Sequence, residues 1–290
     1  MNLGLGRGIR RLCSAGLALM LGSAAFGQFD WTMRGIDYDT GDLYAINPEV
    51  TIGDFVQMDI VGSTGIRNIG SLEYRPSNGF MYGFTTGSNS RLYKINPETA
   101  ATTLVGSLNI GFVFEGSLVI GTDGIAYGTN QGDAEEPKFF TVNLDTGAAT
   151  IINQIGGLAH DINGTAWRSD GRIVGIDREE NSVIVFNPAN GFIVDRFAFA
   201  PTIGEVGGMC VQNDVIYFNT SGPDSAMPGS NSLYTLDLFS GATSLVGTME
   251  MGFPSGTGCS GLAAVPEPGT LIALGVGALA LAARRRRNKP

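Results

Sequence analysis

Chemically reactive side chains are scarce in this chain of 290 residues, which contains one histidine and three cysteines. A single histidine is too few for a histidine-rich zinc, copper or haem site. The chain also lacks a Walker loop, a dinucleotide-binding fingerprint and a serine in a nucleophile elbow. These absences disfavour an enzyme, and they predict no bound cofactor other than an oxygen-ligated ion such as Ca²⁺.

Basic residues are also few, since 18 lysines and arginines face 27 aspartates and glutamates. Eight of the 18 basic residues but only one of the 27 acidic residues lie outside residues 28–265. That segment therefore carries a net charge of about −16, which disfavours nucleic acid and anionic lipid as partners. Cations and neutral glycans are compatible with such a charge.

The first 27 residues have the pattern of a secretory signal peptide. The basic segment MNLGLGRGIRR precedes the apolar run LCSAGLALMLGSA, and small residues follow at Ala25 and Gly27. We expect cleavage after Gly27 and export of the remaining chain.

The C-terminal residues form a second targeting pattern. Pro266, Glu267 and Pro268 precede a short apolar stretch, and a cluster of four arginines follows it: Arg284, Arg285, Arg286 and Arg287. The apolar stretch 269–283 would make a helix of roughly 22 Å, short against a hydrocarbon core of about 30 Å. By the positive-inside rule the arginines would stay in the cytoplasm.

These C-terminal residues resemble the PEP-CTERM sorting signal of exported bacterial proteins. The resemblance implies transient inner-membrane anchoring through this helix alone, and then processing by an exosortase-type enzyme. It also implies a final location at the cell surface or in an exopolysaccharide matrix. Because the signal is an address, it predicts nothing about the activity of residues 28–265.

Internal repetition is the strongest structural signal. Similar segments begin at Leu43, Leu92, Phe139, Val183 and Leu233, at intervals of 44 to 50 residues. Each is followed by turn residues and a second β-like run, and the last four are preceded by a predicted hairpin. Asp123-Gly124 and Asp170-Gly171 are typical hairpin-turn dipeptides. Each period therefore contains four short strands, which we name a to d in chain order.

Four antiparallel strands in about 45 residues are typical of a β-propeller blade. The chain begins with b, c and d strands at WTMRGIDY, DLYAINP and FVQMDIV, and CSGLAAV supplies a late a strand. Pairing that strand with the N-terminal blade predicts a closed, all-β, five-bladed propeller over residues 28–265. A β-sandwich is the alternative, but it does not explain the regular period.

The repeated phrase LYxINPxTGxxTxVG resembles the repeats of YVTN and quinoprotein-like bacterial surface propellers. Since such folds host many unrelated functions, this resemblance implies no catalytic residues. The repeat register also bears on Cys210 and Cys259, because a disulfide is common in exported proteins. Matching Gly208 to Gly261 separates the two cysteines by roughly 13 Å, too far for a bridge that needs about 7 Å.

One set of polar residues is expected to converge at a mouth of the central channel. The loops that precede the a strands hold Arg67, Glu115, His160, Asp161 and Glu205. Their carboxylates could bind Ca²⁺ through oxygen or act as acid and base on a glycosidic bond. The alternative is that an acidic surface places carboxylates on most loops by chance. Glu73 is one of the few acids predicted on a strand that faces the channel.

These observations predict an exported, non-enzymatic module of the cell envelope or extracellular matrix. It would bind a glycan, a cation or another envelope protein through a face of the propeller. The alternative is a glycan-active hydrolase or lyase that uses carboxylates at the channel mouth. Trp31 and Trp167 could stack on sugars, but each lies in a predicted strand and is expected to pack within the blades.

Overall fold

A computed structural model describes residues 33–114, 116–130, 137–155, 160–198, 205–221, 231–238, 240–249 and 258–266. All twenty regular elements in these ranges are β-strands. The signal peptide 1–27, the expected membrane helix 269–283 and the four terminal arginines lie outside the described residues. Within the described ranges, no helix is long and apolar enough to span a membrane.

The strands follow one another in short antiparallel runs. The N-terminal run consists of β1 (Met33–Asp37), β2 (Asp42–Ile52) and β3 (Phe55–Ser63). The next run consists of β4 (Glu73–Arg75), β5 (Phe80–Phe84), β6 (Arg91–Ile95) and β7 (Thr102–Ser107). The third consists of β8 (Leu118–Ile120), β9 (Ala126–Thr129), β10 (Lys138–Val142) and β11 (Ala149–Gln154).

The second half of the chain continues the same pattern. Its first run consists of β12 (Ile162–Trp167), β13 (Ile173–Asp177), β14 (Ser182–Phe186) and β15 (Ile193–Ala198). The last run consists of β16 (Glu205–Gln212), β17 (Val215–Ser221), β18 (Ser232–Leu236) and β19 (Thr243–Thr248), followed by β20 (Cys259–Ala264).

The predicted pairing between the C-terminal strand and the N-terminal run is present. Strand β20 lies antiparallel to β1, with Leu262 opposite Gly35. Leu262 and Ala263 are almost fully buried. The two ends of the described chain are therefore joined within one sheet.

The sheets differ from the expected five separate units. Three sheets have four strands, but the remaining strands form one eight-stranded sheet in the order β16-β17-β18-β19-β3-β2-β1-β20. The junction is a single parallel pair of Thr248 with Phe55, where the Thr248 N–H donates to the Asp54 carbonyl over 2.8 Å. Two outer strands thus meet edge to edge and merge two antiparallel runs.

The first strand of each four-stranded run, together with β20, lies on an inner ring. Strand β20 contacts β4, β4 contacts β8, β8 contacts β12, β12 contacts β16, and β16 contacts β20 again. Glycines permit this close approach, since a Cβ on Gly261 would lie 2.8 Å from the Leu72 nitrogen. A Cβ on Gly208 would clash with the backbone of Leu262 and Gly261. Apolar side chains fill the spaces between the sheets, as in the stacked rings of Phe139 and Phe186.

The asparagine or aspartate that follows the c strand in the last four copies explains why the sequence repeats there. The Asn96 carboxamide oxygen accepts hydrogen bonds from the N–H groups of Glu98 and Thr99, at 2.8 and 3.1 Å. Asn143 makes the same turn with Asp145 and Thr146, at 2.9 and 3.0 Å. Such side-chain bonds replace backbone pairing at a tight turn, so the repeat keeps Asn or Asp here.

Both cysteines in the described residues are free and buried. A Cβ on Gly208 would meet Gly261, as the repeat register predicts. Cys210 and Cys259 are offset in opposite directions from these glycines along the inner strands, and no disulfide joins them.

The a–b hairpins provide a test of backbone conformation. Gly124 and Gly171 have φ of +81° and +80°, as expected for their turns. The equivalent hairpin between β16 and β17 has no glycine at its turn, and Asn213 and Asp214 have φ of +50° and +63°. Asp214 is exposed. We expect Asp214→Gly to raise the free energy of unfolding by about 0.5 kcal/mol, because the left-handed conformation is strained for a residue with a Cβ atom and not for glycine. Urea denaturation measures this change. Gly171→Ala is the matched reverse substitution and should destabilise the protein, whereas a stabilising effect would contradict the turn assignment.

Candidate functional site

Five residues are predicted to line one mouth of the central channel, at the start of the inner strands, which we call the first mouth. Their surroundings differ. Arg67 is exposed on the loop before β4. Glu115 and the side chain of Glu205 lie outside the described residues. His160 and Asp161 precede β12 and are buried. The structure therefore describes two of these side chains inside the protein, and the binding role of the set stays a prediction.

Asp161 belongs to a buried network within the sheet of β12 to β15. Its carboxylate accepts a hydrogen bond from Arg178 Nε at 2.6 Å and another from Asn163 Nδ2 at 2.7 Å. His160 Nδ1 is hydrogen-bonded to Asp177 Oδ2 at 2.6 Å. The Asp161 N–H donates a hydrogen bond to Asp177 Oδ1. Such a network fixes the loop that enters the inner strand.

Asp177 is the part of this network that sequence reasoning missed. It ends β13, is fully buried, and also lies 3.7 Å from Arg196 Nη1. The sequence carried a signal, since Asp37 ends β1 in the same Gly-Ile-Asp context and is also fully buried. The Asp37 carboxylate accepts from the N–H groups of Asp39 and Thr40, both at 2.9 Å.

A cavity lies at the other ends of the inner strands, where their carboxyl termini meet. Its volume is about 460 Å³, within the range typical of small-ligand sites. All five inner strands contribute to its wall, with Glu73 of β4, Ile120 of β8, Trp167 of β12, Gln212 of β16 and Ala264 of β20. This convergence makes the cavity, which we call the mouth cavity, the candidate functional site.

Glu73 is the acidic residue of the mouth cavity. Of the described residues that line the cavity, it is the only aspartate, glutamate, lysine, arginine or histidine. Its Oε1 accepts a hydrogen bond from the Tyr74 N–H at 2.9 Å. Desolvation raises the pKa of Glu73 to about 8, and the Tyr74 hydrogen bond offsets only part of this increase.

Cys210 and Trp167 line the same cavity. Desolvation, together with the nearby Glu73 carboxyl and Cys259 thiol, raises the pKa of Cys210 well above its usual value, so its thiol stays neutral. The Trp167 ring stacks on Tyr127, with 5.9 Å between ring centroids. The expected packing of Trp167 is thus present, and the indole also borders the cavity. Within the described ranges, no group of three or more His, Cys, Asp or Glu side chains could hold a metal ion.

The raised pKa of Glu73 predicts a pH-dependent stability. Between the usual carboxyl pKa of 4.5 and about 8, the folded protein holds a proton that the unfolded chain releases. The free energy of unfolding therefore falls as pH rises through this window. Glu73→Gln should raise it by less than about 1 kcal/mol at pH 5 and by roughly 4–5 kcal/mol at pH 9, because the pKa of Glu73 rises from 4.5 to about 8 on folding. Urea denaturation at both pH values measures the effect. The exposed Glu49→Gln is the control, and an equal effect of both substitutions would contradict the assignment.

The chain is similar in fold to several solved structures, all at low sequence identity. One chain of a Nidogen/Laminin complex superposes with a TM-score of 0.51 at 12% identity, covering 80% of this chain and 97% of that chain. TolB from Acinetobacter baumannii gives 0.47 at 16% identity, covering 76% and 53%. Virginiamycin B lyase from Staphylococcus aureus gives 0.45 at 11% identity, covering 73% and 68%. The protein is all-β with a β-propeller-like fold.

The C-terminal residues match a sequence family. Residues 264–287 match the PEP-CTERM protein-sorting motif, as the sequence analysis predicted. The motif implies export with a transient membrane anchor and processing by an exosortase. No curated protein matches the chain.

Proposed function

We propose that the protein is an exported, non-enzymatic binding module whose ligand site is the mouth cavity. The single observation that carries this proposal is the convergence of all five inner strands on a cavity of about 460 Å³ with one carboxyl group and one indole. The fold itself forms a site where the ends of five strands meet. Binding a ligand there costs little conformational entropy, because the protein is already ordered. We place this propeller in residues 28–265, between the signal peptide 1–27 and the sorting signal 266–290.

The proposal includes a ring of five blades. Five inner strands contact one another in a closed cycle. Four of them begin a run of four antiparallel strands, and β20 completes the run of β1, β2 and β3. In this interpretation the eight-stranded sheet is two blades that share one parallel bridge between Thr248 and Phe55. Strand β20 supplies the inner strand of the N-terminal blade.

The alternative of a glycan-active hydrolase or lyase has less support. Glycosidases place two carboxyl groups roughly 5–10 Å apart across the substrate. Glu73 is the only carboxyl among the described residues that line the mouth cavity. At the first mouth, the described Asp161 carboxylate is bound to Arg178 and Asn163. A binding role for Arg67, Glu115, His160, Asp161 and Glu205, with Ca²⁺ or a glycan, is a separate proposal that direct binding measurements can test.

The location of the protein follows from its sorting motif. We propose that it remains at the cell surface or in the extracellular matrix after exosortase processing. Partners there would be a glycan, a cation or another envelope protein. Pro266 lines the mouth cavity, so the sorting motif begins at the rim of the proposed site.

A ligand screen with a blocked cavity tests the proposal. The full chain, purified in a non-ionic detergent, is screened by thermal shift against neutral glycans, Ca²⁺ and organic cations. Thr122→Trp places an indole at the exposed rim of the cavity, and Thr103→Trp places one on the exposed outer strand β7. A ligand that stabilises the wild type and Thr103→Trp, but not Thr122→Trp, supports a site in the cavity. Equal shifts in all three proteins, or no shift from any compound, would overturn it.

A further inference from the structure

The mouth cavity combines an isolated acid with an aromatic ring. Among the residues that the structure describes, no lysine, arginine or histidine lies within ion-pair distance of Glu73, and no basic side chain lines the cavity. The walls are otherwise neutral, with Ile120, Val211 and Ala264 among them. Glu73 is partly exposed at the wall of the cavity. When its carboxyl is ionised, the described residues around it supply no countercharge.

An organic cation would supply what this cavity lacks. We propose, building on the proposed binding function, that the mouth cavity binds a ligand with an ammonium group, which pairs with the Glu73 carboxylate and lies against the Trp167 indole. Tryptophan is the aromatic side chain that attracts cations most strongly. Tyr127 stacks on the Trp167 ring at 5.9 Å and holds it in place.

The size and charge of the protein support this ligand class. A volume of about 460 Å³ accommodates a trimethylammonium group with a short substituent. The net charge of the chain is −9, so the surrounding field favours the approach of cations. A divalent metal is disfavoured, because no set of three acidic, cysteine or histidine side chains in the described ranges could hold one.

The groups that face Glu73 set the pH dependence of binding. Strand β16 brings the Cys210 thiol, which stays neutral because burial raises its pKa. Strand β5 brings Tyr82, opposite Glu73 in the sheet, and β4 itself brings Tyr74, whose pKa burial raises. The described lining residues of β8, β12 and β20 are uncharged. The Glu73 carboxyl, whose pKa desolvation raises to about 8, is therefore the acidic group whose ionisation sets the pH dependence of binding.

The experiment uses choline and its uncharged isostere 3,3-dimethylbutan-1-ol. Titration calorimetry of the full chain in non-ionic detergent is run at pH 6, 7, 8 and 9. We expect choline to bind at least about tenfold more tightly than the isostere, because only the cation pairs with the carboxylate. Its affinity should rise by up to about tenfold per pH unit between pH 6 and 8, and then level off as Glu73 becomes fully ionised.

Two variants separate the cation proposal from the broader binding function. Glu73→Gln should abolish choline binding and its pH dependence, and Trp167→Leu should weaken binding at every pH. Thermal unfolding confirms that each variant is folded, and Glu49→Gln is the control. Choline binding that Glu73→Gln leaves intact, or equal binding of the isostere, overturns the cation proposal. A neutral glycan that binds in the cavity while choline does not overturns it too, but leaves the binding function standing. No binding by any compound overturns both.

Discussion

A chain that ends before Gly258 should show no cooperative unfolding transition, whereas a chain that ends at Val265 should fold. The physical reason is that β20 occupies the inner ring. It pairs with β1 along its length, and its Leu262 and Ala263 are almost fully buried. The Asn219 carboxamide also donates a hydrogen bond of 2.7 Å to the Cys259 carbonyl.

Removal of β20 would expose two neighbouring inner strands and leave Asn219 without this partner. The loss combines apolar burial, backbone pairing and a buried polar contact, and we expect it to exceed the 5–15 kcal/mol that typically stabilises a domain. Residues 28–257 and 28–265 are compared by circular dichroism during heating. The longer chain is the control, because it keeps β20 but lacks the sorting signal. Equal melting temperatures for the two chains would contradict ring closure.

Asp161→Ala should lower the free energy of unfolding by about 2–3 kcal/mol, because it removes a fully buried carboxylate that accepts hydrogen bonds from Arg178 and Asn163. Asp161 is fully buried, and Arg178 Nε lies 2.6 Å from its Oδ2. Asn163 would lose a hydrogen bond of 2.7 Å in the same step. Urea denaturation at pH 7 measures the change.

The same substitution separates a structural role for Asp161 from a binding role. Asp177→Ala should destabilise to a similar degree, because Asp177 is fully buried and bonds to His160. Asp195→Ala, at an exposed position of β15, is the control and should have little effect. If Asp161→Ala left stability unchanged but removed binding of a ligand, the residue would belong to a site at the first mouth.

The repeat predicted most of the strands, because each copy carries its own turn chemistry. Asp123-Gly124 and Asp170-Gly171 form the expected hairpins, and both glycines have positive φ. The first copy departs from the others. There β2 continues past Pro48 to Ile52, and the chain turns at Gly53. The other copies turn directly after the equivalent asparagine or, in the last copy, after Asp237. Val50, Thr51 and Ile52 are β-branched residues that favour a strand, so this strand extends before it turns.

The eight-stranded sheet and the mouth cavity were not predictable in the same way. The bridge between β3 and β19 depends on where two strands from opposite ends of the sequence come to lie. The cavity likewise depends on five strand ends that are far apart in the chain. Glu73 was recognised as an acid facing the channel, but its desolvation arises only when the other four strands surround it. Sequence periodicity describes each repeat, whereas the site belongs to the ring.

The most direct test of this account is the protonation of Glu73 in the folded protein. Carboxyl ¹³C chemical shifts are followed by NMR from pH 3 to pH 10, with Glu73→Gln used to assign the signal. The account predicts a midpoint near pH 8, since the side chain is desolvated and has no basic partner in the described part of the chain. A midpoint near 4.5 would show a solvated or paired carboxylate. The predicted rise of cation affinity between pH 6 and 8 would then be absent.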